Sequence, residues 1–574
     1  MLILGLSPFT HDTAAALFED GKIKAAIEND KLARSSSTGL PENAIAFCLE
    51  RAGADWHDLD AIAVATRPFY GWGCRSLMPF RLAPFSPLDA VFHQANELGA
   101  LARELNQLRA LRLNRGMPAK VVGFEHHLCH VASAFFLSAF DRALILTMDE
   151  EGDGRSGMIA VGEGSRIRVL RKISFPHSLA WVYSQITRLL GFVPHHDEHK
   201  TQWLSLEGEP IFKNVFLEMF RNPRDHFPRL NHGYVNLARP MSFSDKFYRE
   251  VGLAQAQKAI NDDLRRGLAS SLQHACVEVV GAMIEHLRKS EGIQKVCLAG
   301  GLFHNTLLVA SLERRFGINQ VFVPPSPGNS GCALGAGMLV WQHAMQKPRP
   351  PAVSCIYSGP SCSPSEVKEV LDNCKARYSI QTTEERKLGA ALQLLQAGKI
   401  VGWFQGAAEF GLRALGNRSL LASPWAAYVK ENLNDYIKHR EWFRPFAVAV
   451  PEEDCARYFE CSHLCQSMNS LAWTRADGNV LPDGFVLPGN LVRLHVVQQQ
   501  SNPLFWRLLK RFGEQAPAPL LVNTSFNLFG EPLVAKPRDA VRSYFCSGID
   551  ALIIDNFVLS KTAANIVSPS RGAA

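Results

Sequence analysis

The sequence lacks a long uninterrupted apolar run, a paired Cys-X-X-Cys motif and a block of basic residues. Its longest apolar stretches, such as Val131–Phe140, end well short of the roughly 18 residues that cross a membrane, so we expect no stable membrane insertion. The start, Met1–Leu6, has no basic region and Asp12 follows soon after, so we expect no signal peptide. The 13 scattered cysteines favour a reduced, cytoplasmic protein.

The charge balance is close to even. Among 574 residues, 61 are Lys or Arg and 54 are Asp or Glu, which gives a net charge of +7. That mild excess suits anionic substrates, and the absence of a basic arm argues against a nucleic-acid partner. The hydrophobic share of 47% excludes a disordered chain.

The hydrophobic pattern predicts an α/β protein. Short apolar runs predict strands at Leu2–Leu6, Ala14–Phe18 and Ile23–Ile27, the last two joined by the turn signal Asp20-Gly21. Further strands are predicted at Ala61–Ala65, Lys120–Phe124, Ala143–Met148, Lys295–Ala299 and Val321–Val323, and helices at Pro41–Ala52, Val91–Leu113, Asn305–Phe316 and Cys332–Met345. Strands that alternate with helices are typical of this fold class.

A Pro- and Ser-rich stretch from Lys347 to Ser365 predicts a non-helical linker between two domains. We expect a first domain over residues 1–352, the linker and the start of a second domain over 353–380, the rest of that domain over 381–565, and a tail over 566–574. Second-domain strands are predicted at Ile400–Phe404, Phe446–Val450 and Pro519–Val522, and a helix at Tyr428–Tyr436.

Two histidines carry the first chemical signal. His126 and His130 are four residues apart, so on a helix both imidazoles project from one face and two nitrogens can reach one metal ion. Asp149, at the end of the next predicted strand, can add an oxygen ligand. Capping or core histidines are the alternative interpretation.

Two further features point to catalysis and to a nucleotide. His11 beside Asp12 is a candidate general base near neutral pH, although such a pair is often structural. Glycines at the strand exits Gly300–Asn305 and Gly328–Gly331 let a backbone approach a nucleotide, although neither exit is a Rossmann or P-loop motif. Close packing of helices on strands is the alternative.

Basic and polar residues gather in the second domain, in the stretches Glu409–Ser419, Lys438–Pro445 and Asn523–Asn527 and at Arg493. Arg and Lys side chains in turns between strands suit a polyanion cage, whereas surface ion pairing is the alternative. Cys461, His463 and Cys465 form a Cys-X-His-X-Cys cluster that lacks a second half, so zinc is disfavoured there.

Several of these stretches together resemble the O-carbamoyltransferase family, which includes nodulation-factor and antibiotic-tailoring carbamoyltransferases. The most specific matches are Glu409–Leu421, Ile437–Ala447 and Asn523–Asn527, and the likeness covers nearly the whole chain. Supporting matches are His11–Leu17, Pro176–Thr187 and Gly300–Asn305.

The resemblance implies an actin–hexokinase-like (ASKHA) first domain and a YrdC-like α/β second domain. The second domain would convert carbamoyl phosphate and ATP to carbamoyl adenylate. The first would transfer the carbamoyl group to a hydroxyl of a small-molecule or sugar acceptor. ATP with Mg²⁺ and a divalent transition metal, iron or manganese, are the implied cofactors, and a homodimer is the expected assembly.

The resemblance also assigns roles to residues. Carbamoyl phosphate is expected on Lys438, Arg444, Arg493 and Ser525, and His11 is the expected general base. The expected metal ligands are His126, His130, Asp149 and Asn329. Nucleotide contacts are expected at Gly300, Gly301, Asn305, Gly328, Arg418, Arg440 and Asn527.

The sequence departs from the family pattern at three places. Asn329 stands where the family usually has an aspartate ligand, which removes one negative charge from the metal site. The stretch Glu28–Lys31 replaces the usual Glu-Glu-Glu-Arg, and Trp203 stands where glycine is usual. The sequence does not identify the acceptor. The aromatic and Pro-rich segment Pro68–Phe92 suits either an acceptor pocket or a packed loop.

Two alternatives share the same two-domain fold. A threonylcarbamoyl-type enzyme acting on tRNA is disfavoured by the modest charge and the absence of a basic arm. A non-catalytic relative is suggested by Asn329 alone.

Overall fold

The computed structural model describes residues 1–36, 38–67, 69, 87–113, 120–221, 226–236, 242–253, 260–344, 346–349, 351–353, 357–476 and 480–561. They form two compact units, Met1–Ser358 with Ser462–Leu464 and Asn469–Leu471, and Gly359–Cys461 with Cys465–Met468 and Ala472–Ala574. Most of the acceptor segment proposed at Pro68–Phe92, and the tail 566–574, lie outside the described residues.

The first unit is built on two five-stranded sheets. Its strands are β1 (Leu2–Ser7), β2 (Ala14–Glu19), β3 (Lys22–Glu28), β4 (Ala61–Val64), β5 (Lys120–Gly123), β6 (Arg142–Gly152), β7 (Arg155–Glu163), β8 (Arg166–Ser174), β9 (Val235–Asn236), β10 (Ser242–Phe243), β11 (Val296–Ala299) and β12 (Val321–Phe322). The sheet orders are β3-β2-β1-β4-β5 and β12-β11-β6-β7-β8, and β9 pairs with β10.

The two sheets share one topology. In each sheet, three successive strands form an antiparallel meander. A fourth strand pairs in parallel with the first strand of the meander, and a fifth strand pairs in parallel with the fourth. The first meander turns at Asp20-Gly21, where both residues have positive φ, as the turn signal predicts. The α/β class is therefore confirmed, and the repeated order agrees with the actin–hexokinase-like expectation.

The helices of the first unit are Asn29–Ala33, Glu42–Ala52, Pro87–Leu113, His126–Leu137, Leu179–Leu189, Glu198–Leu204, Lys213–Phe220, Asp245–Glu250, Asp262–Glu291, Thr306–Phe316 and Gly331–Leu339. Small residues bring two of them close together. A Cβ on Gly335 would lie 1.9 Å from the Cys129 carbonyl oxygen, so only glycine lets the helix Gly331–Leu339 pack against His126–Leu137. That contact fixes the helix that carries His126 and His130.

By length and apolarity alone, one helix in the described part of the chain, Asp262–Glu291, could cross a membrane. The most apolar window of this helix is 72% buried inside the protein, as in the core helix of a folded domain. The criterion is therefore weak evidence for a membrane span.

The second unit has an eight-stranded and a four-stranded sheet. Its strands are β13 (Ser379–Ile380), β14 (Val401–Phe404), β15 (Arg418–Ala422), β16 (Ala447–Pro451), β17 (Phe459–Glu460), β18 (Ala472–Thr474), β19 (Val486–Leu487), β20 (Leu491–Val492), β21 (Leu494–Val497), β22 (Leu521–Ser525), β23 (Ala551–Ile554) and β24 (Phe557–Ser560). The orders are β13-β24-β23-β14-β15-β22-β16-β21 and β17-β18-β20-β19.

The helices of the second unit are Pro364–Asn373, Glu384–Gln396, Val429–Leu433, Glu452–Tyr458, Pro503–Gly513 and Pro537–Phe545. The first begins inside the stretch predicted to be non-helical, which is a correction to that prediction. Ser363 caps it through a capping box with Glu366, and Pro364 takes the first turn, where a missing N–H costs nothing. Serine and proline therefore mark a helix start here.

Candidate functional site

The first unit brings His126, His130 and Asp149 into contact. His130 Nε2 lies 3.1 Å from His126 Nε2 and 3.2 Å from Asp149 Oδ2, and His126 Nε2 lies 3.9 Å from the same carboxylate oxygen. All three side chains are almost completely buried. The i, i+4 spacing predicted this shared face, and the end of β6 supplies the aspartate.

The pKa values of His126, His130 and Asp149 depend on their burial and on the charges that they exert on one another. Burial alone would raise the pKa of Asp149, but hydrogen bonds and charges from both histidines hold it well below its usual range. Burial lowers the pKa of His130, whereas at His126 the attraction of Asp149 outweighs burial and raises the pKa. The cluster thus contains an ionised carboxylate between two imidazoles.

These residues fit a divalent cation. Donor atoms bound at roughly 2.0–2.2 Å from one ion lie about 3–4 Å apart, as the three donors do here without any rearrangement. Cys332, which the sequence analysis missed, also lies within 4.8 Å of the two histidines. Burial raises the pKa of its thiol well above the usual range, so Cys332 stays a neutral neighbour.

Asn329 contacts the predicted base. Its Nδ2 lies 3.3 Å from the His11 carbonyl oxygen and 3.2 Å from His11 Nε2. Because a carbonyl oxygen only accepts, the amide NH₂ must face His11, and only Oδ1 of Asn329 remains available to a metal.

Each ring nitrogen of His11 lies next to a polar side chain. Its Nδ1 lies 2.8 Å from Asp12 Oδ2, and its side chain is 43% exposed, so an acceptor can reach it. Burial would lower the pKa of His11, but the Asp12 hydrogen bond and nearby carboxylates raise it to about 9. The NH₂ of Asn329 acts in the opposite direction, because a donor facing Nε2 favours the neutral imidazole.

Asp153 and Gly152 orient the histidine helix. Asp153 Oδ2 accepts from the His126 backbone N–H at 2.9 Å, and its Oδ1 accepts from Thr66 Oγ1 at 3.0 Å. A Cβ on Gly152 would lie 2.1 Å from the His126 ring. The sequence showed an acidic turn at this place but could not single out Asp153, since its role depends on a contact between distant strands.

One of the predicted nucleotide glycines, Gly301, lies next to the same cluster. A Cβ on Gly301 would lie 3.0 Å from Asp149 Oδ1, and one on Gly328 would lie 2.5 Å from His304 Nε2. Gly300 adopts φ 98°, where a side chain would strike the Met148 carbonyl. Asn305 instead caps the helix Thr306–Phe316, and its amide is engaged by Gln273, which gives it a structural role.

In the second unit, Lys438 joins two of the predicted motifs. Its Nζ donates to Asn527 Oδ1 at 2.7 Å, to the Asn527 carbonyl at 3.0 Å and to Ser525 Oγ at 3.2 Å, and it also contacts the Ser525 carbonyl. Burial and the charges of Arg440 and Arg444 lower the pKa of Lys438 well below its usual range. The structure therefore brings Lys438, Ser525 and Asn527 together, as expected.

Four half-buried arginines form a network of like charges with this lysine, on which Arg440 and Arg444 act directly. Burial lowers the pKa of each of Arg413, Arg440 and Arg493, and mutual repulsion lowers it further: Arg444 acts on all three, and Arg413 and Arg440 act on Arg493. Arg440 Nε donates to Asn434 Oδ1 at 2.8 Å, and Arg444 lies 3.8 Å from Glu441. We call Lys438, Arg413, Arg440, Arg444 and Arg493 the cationic cage.

Arg418 lies outside the cationic cage. It is completely buried, and its two terminal nitrogens donate to backbone carbonyls of Gln405 (2.5 Å), Gly406 (3.0 Å), Asn417 (3.1 Å) and Pro360 (2.8 Å). This geometry gives Arg418 a structural role rather than the predicted nucleotide contact. Arg413, five residues earlier in the same motif, takes the position near the other cations.

Both parts of the chain match models of one family. Residues 2–338 match the carbamoyltransferase N-terminus and residues 392–561 match the carbamoyltransferase C-terminus. The class is therefore that of the carbamoyltransferases, enzymes that transfer a carbamoyl group.

Relatives extend the match over the whole chain. Nodulation protein NolNO of Sinorhizobium fredii is 32% identical over 97% of this chain and 80% of its own length. Nodulation protein U of Bradyrhizobium diazoefficiens is 24% identical over 99% of each chain, and an uncharacterized protein of Synechocystis is 31% identical over 98% of this chain and 97% of its own. The chain belongs to the carbamoyltransferase family, as the sequence motifs indicated.

Among solved structures, an activator of 2-hydroxyisocaproyl-CoA dehydratase from Clostridium difficile with bound ADPNP is 13% identical. The similarity covers 60% of this chain and 96% of that one, with a TM-score of 0.33. A score this low carries no argument about ligands.

Proposed function

We propose that this enzyme is an ATP-dependent O-carbamoyltransferase that works through carbamoyl adenylate. Its second unit, a YrdC-like domain, would form the adenylate from carbamoyl phosphate and ATP with release of phosphate and pyrophosphate. Its first unit would pass the carbamoyl group to a hydroxyl of a small-molecule or sugar acceptor. A cytoplasmic location and a homodimer remain predictions.

The observation that carries the proposal is the cationic cage. Cationic side chains gathered in one place repel one another, and an anion that binds among them offsets that repulsion. The first half-reaction brings together a phosphate, a carbamate and a triphosphate, whose charges also repel. Arg444 and Arg493 suit bidentate binding of phosphate, and Lys438 adds a point charge beside Ser525.

The first unit supplies the groups for transfer. His126, His130 and Asp149, with Oδ1 of Asn329, would hold a divalent cation, with iron or manganese as our candidates. A cation there would supply a Lewis acid for charge on the departing nucleotide phosphate. His11, oriented by Asp12, would take the proton from the acceptor hydroxyl at Nε2 once the Asn329 amide yields that position.

The proposed nucleotide contacts fall in both units. Gly300, Gly301 and Gly328 carry no side chain, and Gly301 lies next to Asp149, so the backbone at this place suits the close approach of a phosphate group. Arg440 of the cationic cage, and Asn527 next to Lys438, suit ATP in the first half-reaction. Mg²⁺ would accompany ATP there.

The test needs no acceptor. The full-length protein is incubated with ATP, Mg²⁺ and carbamoyl phosphate, and AMP, ADP and pyrophosphate are quantified with and without carbamoyl phosphate. We expect AMP and pyrophosphate in equal amounts that depend on carbamoyl phosphate. ADP without pyrophosphate would contradict the adenylate mechanism, and a folded protein without any turnover would favour the non-catalytic alternative.

Variants separate the two half-reactions. Arg444→Met should lose AMP formation, because the cationic cage then lacks a phosphate ligand. His130→Ala should keep acceptor-free AMP formation and lose divalent-cation binding. The matched control is Arg511→Met, which removes a half-buried arginine paired with Glu385 in the same unit and should behave as the unmodified enzyme.

A further inference from the structure

Three thiols of the second unit lie close together. Cys455 belongs to the helix Glu452–Tyr458, Cys461 follows β17, and Cys465 lies in the short helical turn His463–Gln466. The Sγ atoms of Cys455 and Cys461 are 2.9 Å apart, and Cys461 also shares a hydrogen bond with Cys465. Neither the family motifs nor the proposed reaction uses these residues.

A metal site is not the best account of this cluster. In the described part of the chain, His126, His130 and Cys332 form a group of donors within 4.8 Å of one another, and the three thiols do not form such a group. Cys461 instead occupies the middle position, with one thiol on each side. A central thiol between two others suits exchange of disulfide bonds rather than a shared ion.

We propose that Cys455 and Cys461 form a reversible redox pair, in which Cys461 is the attacking thiol and Cys455 resolves the mixed disulfide. Their sulfurs are less than 1 Å beyond the roughly 2.05 Å of a disulfide bond. The ring that closes is small, because the two residues are six positions apart.

Exposure assigns the two roles. Cys461 is half-buried, so a small oxidant can reach it, whereas Cys455 and Cys465 are buried. Hydrogen bonds from Cys455 and Cys465 lower the pKa of Cys461 despite its burial, and the charge of Arg475 lowers it further. The backbone N–H of Arg475 donates to the Tyr458 carbonyl at 3.0 Å, which holds that charge next to β17.

The oxidant is a low-molecular-weight disulfide. The Cys461 thiolate attacks one of its sulfurs, a protein–small-molecule disulfide forms, and the first small thiolate leaves. Cys455 then loses its proton and attacks the Cys461 sulfur, which releases the second thiolate. The two protein thiols are oxidised, the small disulfide is reduced, and the two thiol protons leave on the two small thiols.

The test uses oxidised glutathione and the full-length protein. After oxidation the remaining thiols are alkylated and the protein is digested with trypsin, which cuts at Arg457 between the two cysteines. We expect the peptides Glu441–Arg457 and Tyr458–Arg475 to be joined with the loss of two hydrogens, and to separate on reduction. The exposed Cys374 and Cys546 should carry glutathione instead.

Single serine variants decide the connectivity. Cys461→Ser should abolish the joined peptide, Cys465→Ser should keep it, and the matched surface control Cys374→Ser should leave it unchanged. The proposal is overturned if Cys374 is fully glutathionylated while Cys455 and Cys461 remain open to alkylation. It is also overturned if Cys465→Ser, but not Cys461→Ser, removes the joined peptide.

Discussion

Replacing Arg493 by methionine separates ligand binding from stability in the cationic cage. Arg493 lies between β20 and β21, its guanidinium is half-buried, and the charges of Arg413, Arg440 and Arg444 lower its pKa. Methionine keeps the unbranched stem and the backbone bond from Val448 N–H to the residue 493 carbonyl, at 3.0 Å. The substitution therefore removes the guanidinium and its charge, and it keeps the stem and this backbone bond.

Two effects of opposite sign follow. Truncating one partner of a desolvated charge pair costs about 2–4 kcal/mol of binding, which is about 30- to 700-fold in the dissociation constant. In the free protein the same change removes repulsion among like charges, so we expect an unfolding temperature equal to or above that of the unmodified protein.

Calorimetry measures both effects. Titration with inorganic phosphate gives the dissociation constant, and scanning calorimetry gives the unfolding temperature, with Arg511→Met as the control. If Arg493→Met binds phosphate within threefold of the unmodified protein, or if it unfolds at a clearly lower temperature, the cationic cage is not the anion site described here.

Three further predictions concern other residues. Asn329→Asp should bind divalent cations more tightly, on the order of tenfold by calorimetry, because it restores a carboxylate beside His11, and unchanged affinity would contradict a ligand position at Asn329. Arg418→Met should lower the unfolding free energy by about 3 kcal/mol or more in denaturant titrations, because several buried carbonyls lose their donor, and a neutral result would contradict the structural role. Burial lowers the pKa of His495 from 6.5 to about 3. The unfolded chain therefore binds the extra proton between these values, so stability should fall as pH falls below about 6.5, by up to roughly 1.4 kcal/mol per pH unit, and this component of the slope should vanish in His495→Gln.

Local patterns predicted most of the first unit and its metal candidates. The strands at Leu2–Leu6 and Ala14–Phe18 were visible because apolar runs and a turn signal are local properties of the sequence. The pairing of His126 with His130 follows from the helical repeat alone. The approach of Asp149 depends on the strand order, and its place at the end of the next predicted strand indicated it.

The sequence could not predict the roles that depend on the direction in which a side chain points. Arg413 and Arg418 belong to one motif, yet one lies near the other cations and the other turns inward to backbone carbonyls. Asn305 was taken for a nucleotide contact, because a helix N-cap and a phosphate contact need the same polar residue at the same place. The contact of Cys455 with Cys461 has no signature in their spacing.

Direct detection of carbamoyl adenylate, the proposed intermediate, tests the central claim. Carbamoyl phosphate carrying carbon-13 in its carbonyl group is mixed with ATP, Mg²⁺ and the full-length protein, and the products are followed by carbon-13 and phosphorus-31 NMR. The account predicts a labelled carbonyl coupled to the single phosphorus of AMP, formed without an acceptor. Label that reaches only carbamate or bicarbonate, while ATP is converted to ADP, would contradict it.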